Sequence, residues 1–383
     1  MTTIGPVGLV RAHDVLAGLP DAERLDAVGD VRVRLLPAAR VRLRRPDFLV
    51  GLAPGERDRA EFFDMAELEM PPRFALVLED ALTVGECAVL LRDGRLFEAS
   101  LFSGLPAIPR TGSADALEPL GDNRYDCGLP AGPAETVDEP TVFLGARWSR
   151  NYYHWVFEGL TRLVFLDDEQ LAHFHVAVPE ELPPAFLELV HAFGIDDARL
   201  HRLPRSACVR FRRLVVLPPV ASDAFHIREA FDRVREVILR AAPEVAEPAG
   251  KLLVVRRDAP APGRQLVNEE ALADLFRDRG YEVLEPGSLS IPEQAARFNR
   301  ASRVAAVHGS GAVNVVFCRD EARVMHLHPA DVRLRAYGQV SALRDQPFGY
   351  VFGDCFSNPR RGQGVEWVLD LEAVAETADA NGF

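Results

Sequence analysis

Lysine is almost missing from this chain of 383 residues. Lys251 is the only one, so arginine carries nearly all the positive charge. With alanine also abundant, that skew reads as coding bias rather than chemistry. Cysteine is scarce and scattered: Cys87, Cys127, Cys208, Cys318 and Cys355 form no C-x-x-C pair. This excludes a disulfide scaffold and fits the reduced, buried thiols of a cytosolic protein. No stretch approaches the ~18–20 apolar residues that cross a bilayer. The acid-containing N-terminus has no apolar signal core, so a soluble, cytoplasmic protein is expected. An excess of basic charge is lacking too. The net charge of −13 is spread along the chain, which argues against nucleic-acid binding and leaves anionic small molecules to local arginine clusters. Internal repeats and low-complexity tracts are absent, and Gly 28 and Pro 28 exclude a collagen-like chain.

Several catalytic signatures are missing as well. No Asp-x-Asp follows an expected strand; Asp167-Asp168, Asp196-Asp197 and Asp370-Leu371-Glu372 come nearest. Gly309-x-Gly311 lacks the third glycine of a dinucleotide fingerprint, and His308 breaks the G-x-S-x-G of a hydrolase elbow. His173-x-His175 and His326-x-His328 would each place two imidazoles on one strand face, but neither shows a third ligand. No metal is expected at either.

What is present is enough for about two to three domains, with 48% hydrophobic residues to fill their cores. Residues up to about 140 read as short strands, with a hairpin turn at Arg92-Asp93-Gly94-Arg95 and a long loop or boundary over Gly104–Pro140. Strands then alternate with helices. Strands are expected at 142–144, 174–178, 214–217, 252–256, 281–284, 303–307 and 323–327, with helices at 152–167, 184–193, 223–240, 268–279, 291–301 and 312–317. That alternation predicts an α/β fold with parallel sheets in two doubly wound lobes.

Three stretches carry chemistry. In Ala306–Asn314 a strand ends and a helix begins around His308-Gly309-Ser310-Gly311. Backbone amides converging at such a turn suit a phosphate; close packing by glycine is the plainer reading. Arg256-Arg257 end a strand and Arg264 follows a Pro/Gly loop, a place where guanidinium groups can chelate a diphosphate. In Asn151–Arg162, the residues Asn151, His154, Glu158 and Arg162 would form one polar row on an otherwise apolar helix. An imidazole beside a carboxylate can take a proton from an alcohol, or can simply tie helices together. Asn268 with Glu269-Glu270, and Ser290 with Glu293, read as helix starts.

NYYHWVFEGLTRL, RR…R-x-x-x-NEE, LS-x-x-EQ-x-x-x-F and HGSG-x-x-N-x-x-F, in this order, resemble glycosyltransferase family 61 over roughly residues 141–345. Its bacterial members are often labelled capsular polysaccharide biosynthesis proteins. The resemblance implies a GT-B-type fold, with two Rossmann-like lobes facing a cleft. It divides the chain into a β-rich N-terminal extension (1–140), an acceptor lobe (141–220), a donor lobe (221–350) and a C-terminal tail packing back on the lobes (351–383). It implies inverting, metal-independent sugar transfer from a nucleotide-sugar to an acceptor hydroxyl, without cofactor; a homodimer stays open. Donor contacts would fall on Arg256, Arg257, Arg264, Asn268, Glu293, Gln294, His308, Gly309, Ser310, Gly311 and Asn314. Glu158 would be the base, with His154 orienting it or sharing the role, and Asn151, Tyr153 and Arg162 would lie on the acceptor side. Two departures stand out: His326 where relatives often carry an acid, and Gly159-Leu160-Thr161-Arg162 where they carry L-P-R. A non-catalytic nucleotide-sugar or glycan-binding module, a dinucleotide-dependent oxidoreductase and a serine hydrolase through Ser310 remain as rival readings.

Overall fold

The computed structural model describes residues 4–383 apart from 5, 9, 11, 53–56, 99–116, 123, 131, 146–147, 223–224, 244–249, 257–264 and 357–365. It is a mixed α/β protein that folds as two compact units. Unit 1 takes Met1–Ala39 and Met70–Ala224; unit 2 takes Arg40–Glu69 and Phe225–Phe383.

Unit 1 is built on one large sheet. Its main strands are β1 (Val31–Leu36), β2 (Arg73–Val84), β3 (Ala88–Leu90), β4 (Leu96–Glu98), β5 (Glu135–Val137), β6 (Thr141–Phe143), β7 (His175–Pro179), β8 (Leu200–Leu203) and β9 (Cys208–Val216). The order β8-β7-β6-β9-β2-β1 joins a parallel half, β8 to β9, to an antiparallel half, β9 to β1. The expected parallel pairing holds for β6 to β9, and strands from the N-terminal third extend the same sheet in antiparallel fashion. The hairpin turn at 92–95 joins β3 to β4, with Leu90 opposite Leu96. Within the parallel half the chain order is 3-2-1-4, so strand succession reverses between β6 and β9. Helices α1 (Asp168–His173) and α2 (Pro184–Ala192) connect the parallel strands.

The loop expected over Gly104–Pro140 is corrected over its described part. Leu117–Gly121 and Arg124–Cys127 pair with Val7–Gly8 in a small sheet, and β5 joins β9. Residues 104–116 lie outside the described residues.

Unit 2 follows the expected alternation closely. Its strands are β10 (Gly250–Val254), β11 (Glu282–Leu284), β12 (Ala301–Val307), β13 (Arg323–Pro329), β14 (Phe348–Cys355) and β15 (Glu366–Val368). Its helices are α3 (Arg228–Arg240), α4 (Glu269–Arg277), α5 (Ile291–Arg300), α6 (Ala336–Leu343) and α7 (Leu371–Ala380). Five strands run parallel in the order β11-β10-β12-β13-β14, and β15 adds antiparallel to β14. In chain order this is 2-1-3-4-5, a doubly wound sheet whose succession reverses between β10 and β12. Leu253, Val255, Ala305, Val307, Met325 and Leu327 point to one face and pack on α4 and α7. Alternation sends Val254 and Ala306 to the other face, where α5 and the 310–317 turn lie. α3 is amphipathic as expected, burying Ala230, Phe231, Val234, Val237 and Ile238, but it starts at Arg228 instead of 223. α5 starts with the expected capping box, in which Ser290 and Glu293 satisfy each other's backbone N–H. Among the described residues, no helix is long and apolar enough to cross a membrane.

Candidate functional site

In unit 1 the chain leaves the carboxyl end of β6 beside the point where strand succession reverses, the place where open α/β sheets bind ligands. Gly145 follows at once. A side chain there would collide with the Glu86 carbonyl oxygen and the Phe143 ring. The buried Glu86 carboxylate anchors the next stretch by accepting from Arg150 at 3.1 Å, and Arg150 also donates to Glu181 at 2.7 Å. Half-buried Trp148 sits at φ +63°, a left-handed conformation that is strained for a bulky residue. Its ring lies 6.5 Å from that of His154.

The helix expected over 152–167 is not a regular α-helix. His154–Gly159 is π-helical and Leu160–Phe165 is 3₁₀. The polar row is correspondingly rearranged. Asn151 turns its side-chain oxygen back to accept from the Tyr153 N–H at 3.0 Å. His154 Nδ1 and Glu158 Oε2 lie 2.6 Å apart, both partly exposed. Arg162 is buried and donates through Nε to the Glu158 carbonyl at 2.8 Å. Burial pulls its guanidinium down to about 10, against which the nearby Glu158 charge acts. Tyr153 is buried and stacks on Phe157. Trp155 Nε1 donates to the Phe186 carbonyl on α2, fixing the helix against its neighbour. Thus a hydrogen-bonded His–Glu pair stays partly exposed while most of the segment is core. Insertion of a π turn commonly re-aims side chains at functional sites.

In unit 2, Arg256 follows the carboxyl end of β10, and His308-Gly309 follow that of β12. These are the strands between which succession reverses. Arg256 is fixed by its backbone N–H, which donates to Glu269 Oε2 at 3.0 Å. Its side chain lies over Gly309, where a Cβ would come within 3.0 Å of Arg256 Cδ. Gly309 is extended in conformation, so glycine serves this close approach and not the turn itself. Gly311 is similarly closed in by Pro286, with a Cβ 3.0 Å from its Cγ. The expected helix begins at Ser310 and is 3₁₀ through Phe317. The amides of Ser310 and Gly311 precede its first internal bond, Ala312 N–H to the Gly309 carbonyl.

The other residues expected at the site are placed as follows. Asn314 and Gln294 are buried beneath the turn and bonded to each other at 2.7 Å, tying α5 to the 3₁₀ segment. Glu293 is exposed in its capping box, and its Ser290 hydrogen bonds hold its carboxyl below the ordinary range. Asn268 precedes α4 but does not cap it with its side chain; it clips both backbone groups of Leu369 instead. His308 is buried, its ring 4.3 Å from that of His328 and 5.2 Å from that of Tyr337. Arg257 and Arg264 lie outside the described residues. Glu269, Trp148 and Gly145 were missed from sequence. Glu269 looked like an ordinary first-turn acid, and neither a left-handed φ nor a steric floor is written in local residue types.

The family model described as Glycosyltransferase 61 matches residues 152–325. Over that stretch the chain is similar to glycosyltransferase family 61. The matched stretch takes in His154 and Glu158 near its start, and Arg256 with the Gly309–Gly311 turn near its end. The similarity points to glycosyl transfer. No curated protein matches the chain.

Proposed function

We propose that this protein is an inverting, metal-independent glycosyltransferase of GT-B type in bacterial polysaccharide or glycoconjugate assembly, working in the cytoplasm. Unit 2 holds the nucleotide-sugar and unit 1 supplies the base. One observation carries the donor assignment: Arg256 is laid across Gly309 at the reversal point of a 2-1-3-4-5 sheet. A guanidinium and the leading amides of a helical turn are thereby gathered at one edge, which suits a diphosphate. Arg257 and Arg264 join them on sequence grounds.

The acceptor hydroxyl gives its proton to the His154–Glu158 pair as its oxygen attacks the anomeric carbon. The bond to the nucleotide oxygen breaks on the opposite face. Arg256 and the turn amides then stabilise the charge that gathers on the leaving diphosphate.

The test is a thermal-shift panel of nucleoside diphosphates, nucleotide-sugars and dinucleotides on the wild type and on Arg256→Ala. A ligand at about 100 Kd should add about 2.7 kcal/mol to stability. The expected result is a shift with one class of nucleotide-sugar that Arg256→Ala abolishes. A response to dinucleotides alone would favour an oxidoreductase. Donor binding with neither transfer nor slow hydrolysis would leave only a binding module.

A further inference from the structure

His175 lost its expected partner when the chain folded. His173 ends α1 while His175 begins β7, so the two do not share a strand face. A different imidazole replaces it. β8 runs parallel beside β7 with His201 opposite Ala177, so His201 and His175 stand on the same face one pleat apart. His175 Nδ1 and His201 Nε2 are 3.0 Å apart, with rings stacked at 20°. On the other side of β7, β6 pairs Thr141 with His175, and Glu139 sits two residues before Thr141. One ligand atom from each of Glu139, His175 and His201 lies within 4.8 Å of the other two. Among the described residues, this is the group of three or more such side chains that converges in this way.

We propose that Glu139, His175 and His201 form a site for a divalent zinc-class cation, with water completing a tetrahedral shell. The donor set is two imidazole nitrogens and one carboxylate oxygen, a combination that zinc accepts. Two nitrogens bound to one tetrahedral zinc stand about 3.3 Å apart, close to the separation already present. Without a cation, the facing nitrogens must share a single proton, one donating and the other accepting. His201 also lines an open pocket with Glu135, Glu180 and Arg202. That pocket gives water access, and its two carboxylates outweigh one guanidinium.

The site stands at the amino ends of β6, β7 and β8, whereas His154 and Glu158 follow the carboxyl end of β6. A cation here would clamp three neighbouring strands and take no part in transfer. The inference is thus independent of the proposed activity.

The test uses the untagged full-length chain, stripped with chelator and titrated near neutral pH with Zn²⁺ by calorimetry and with Co²⁺ by visible absorption. The expected result is one Zn²⁺ per chain with Kd tighter than about 1 μM, and the intense d–d bands of tetrahedral Co²⁺. Glu139 is exposed, so Glu139→Gln should leave the fold intact and weaken binding at least about tenfold. His175→Asn and His201→Asn should each abolish it, and circular dichroism checks that they fold. His191→Gln, an exposed histidine paired with Asp197 on another element, should change nothing. Sub-stoichiometric or weaker binding would overturn the site. So would binding that survives both histidine substitutions, or that disappears with His191→Gln.

Discussion

His154 and Glu158 stand four residues apart, a spacing that α-helical geometry already makes neighbourly, yet their 2.6 Å contact arises inside a π turn backed by a buried arginine. The two are hydrogen-bonded, so under the proposed mechanism removing either member should disable acceptance from an alcohol without touching the proposed diphosphate site. Glu158→Gln is isosteric and keeps a hydrogen bond to the imidazole while discarding the charge. Its turnover should fall ~10²–10⁴-fold, the range for a positioned base, while the donor-induced thermal shift persists. His154→Gln should fall in the same range. Wild-type rates in both variants would remove the pair from the mechanism; a lost thermal shift would mean that it binds donor instead. The contact itself follows from spacing and was readable in the sequence. The support was not: Gly145 is needed because Glu86, far away in the chain, lies across its path.

At the scale of elements, legibility divides by range. The hairpin at 92–95, the capping box of α5, the amphipathic face of α3 and most strands of unit 2 follow from local residue types, and all are present. Strand order is set by packing between distant segments. No local pattern announced that β9 would pair with β2, or that Asn268 would clip Leu369 across 101 positions. The irregular 154–165 segment was hidden for a related reason, because its residues suit any helix and tertiary contacts choose the π and 3₁₀ windings.

His326 and His328 do share the sheet face that sequence spacing gave them, packed with Tyr350. Burial, aided by His328, drives the His326 imidazole down from 6.5 to about 3. Between those values the unfolded chain holds a proton that the folded chain refuses, so stability drops as pH falls through that window and is fully present above it. At about pH 5 this group alone should remove about 2 kcal/mol. Urea unfolding near neutral pH and near pH 5 should show His326→Leu losing less than wild type by about that amount. Equal losses in the two proteins would mean that the ring is not kept neutral by the fold.

For the whole molecule, the net charge of −13 sets the terms on which the proposed diphosphate would be held. The general field opposes a diphosphate at long range, so binding has to come from a short-range cradle that salt screens only in part. Each unit offers a reversal point at the carboxyl edge of its parallel strands, and the two edges carry different chemistry: guanidinium with turn amides in unit 2, imidazole with carboxylate in unit 1. A diphosphate placed against Glu158 would meet like charge, whereas beside Arg256 it meets the opposite sign. Hydrogen exchange can read that division across the chain at once. A nucleoside diphosphate should slow exchange in peptides covering 250–256 and 305–317 and leave those covering 150–165 unchanged, since ligand-stabilised segments open less often. Protection centred on 150–165 would transfer the donor to unit 1 and make the Arg256–Gly309 contact a packing detail.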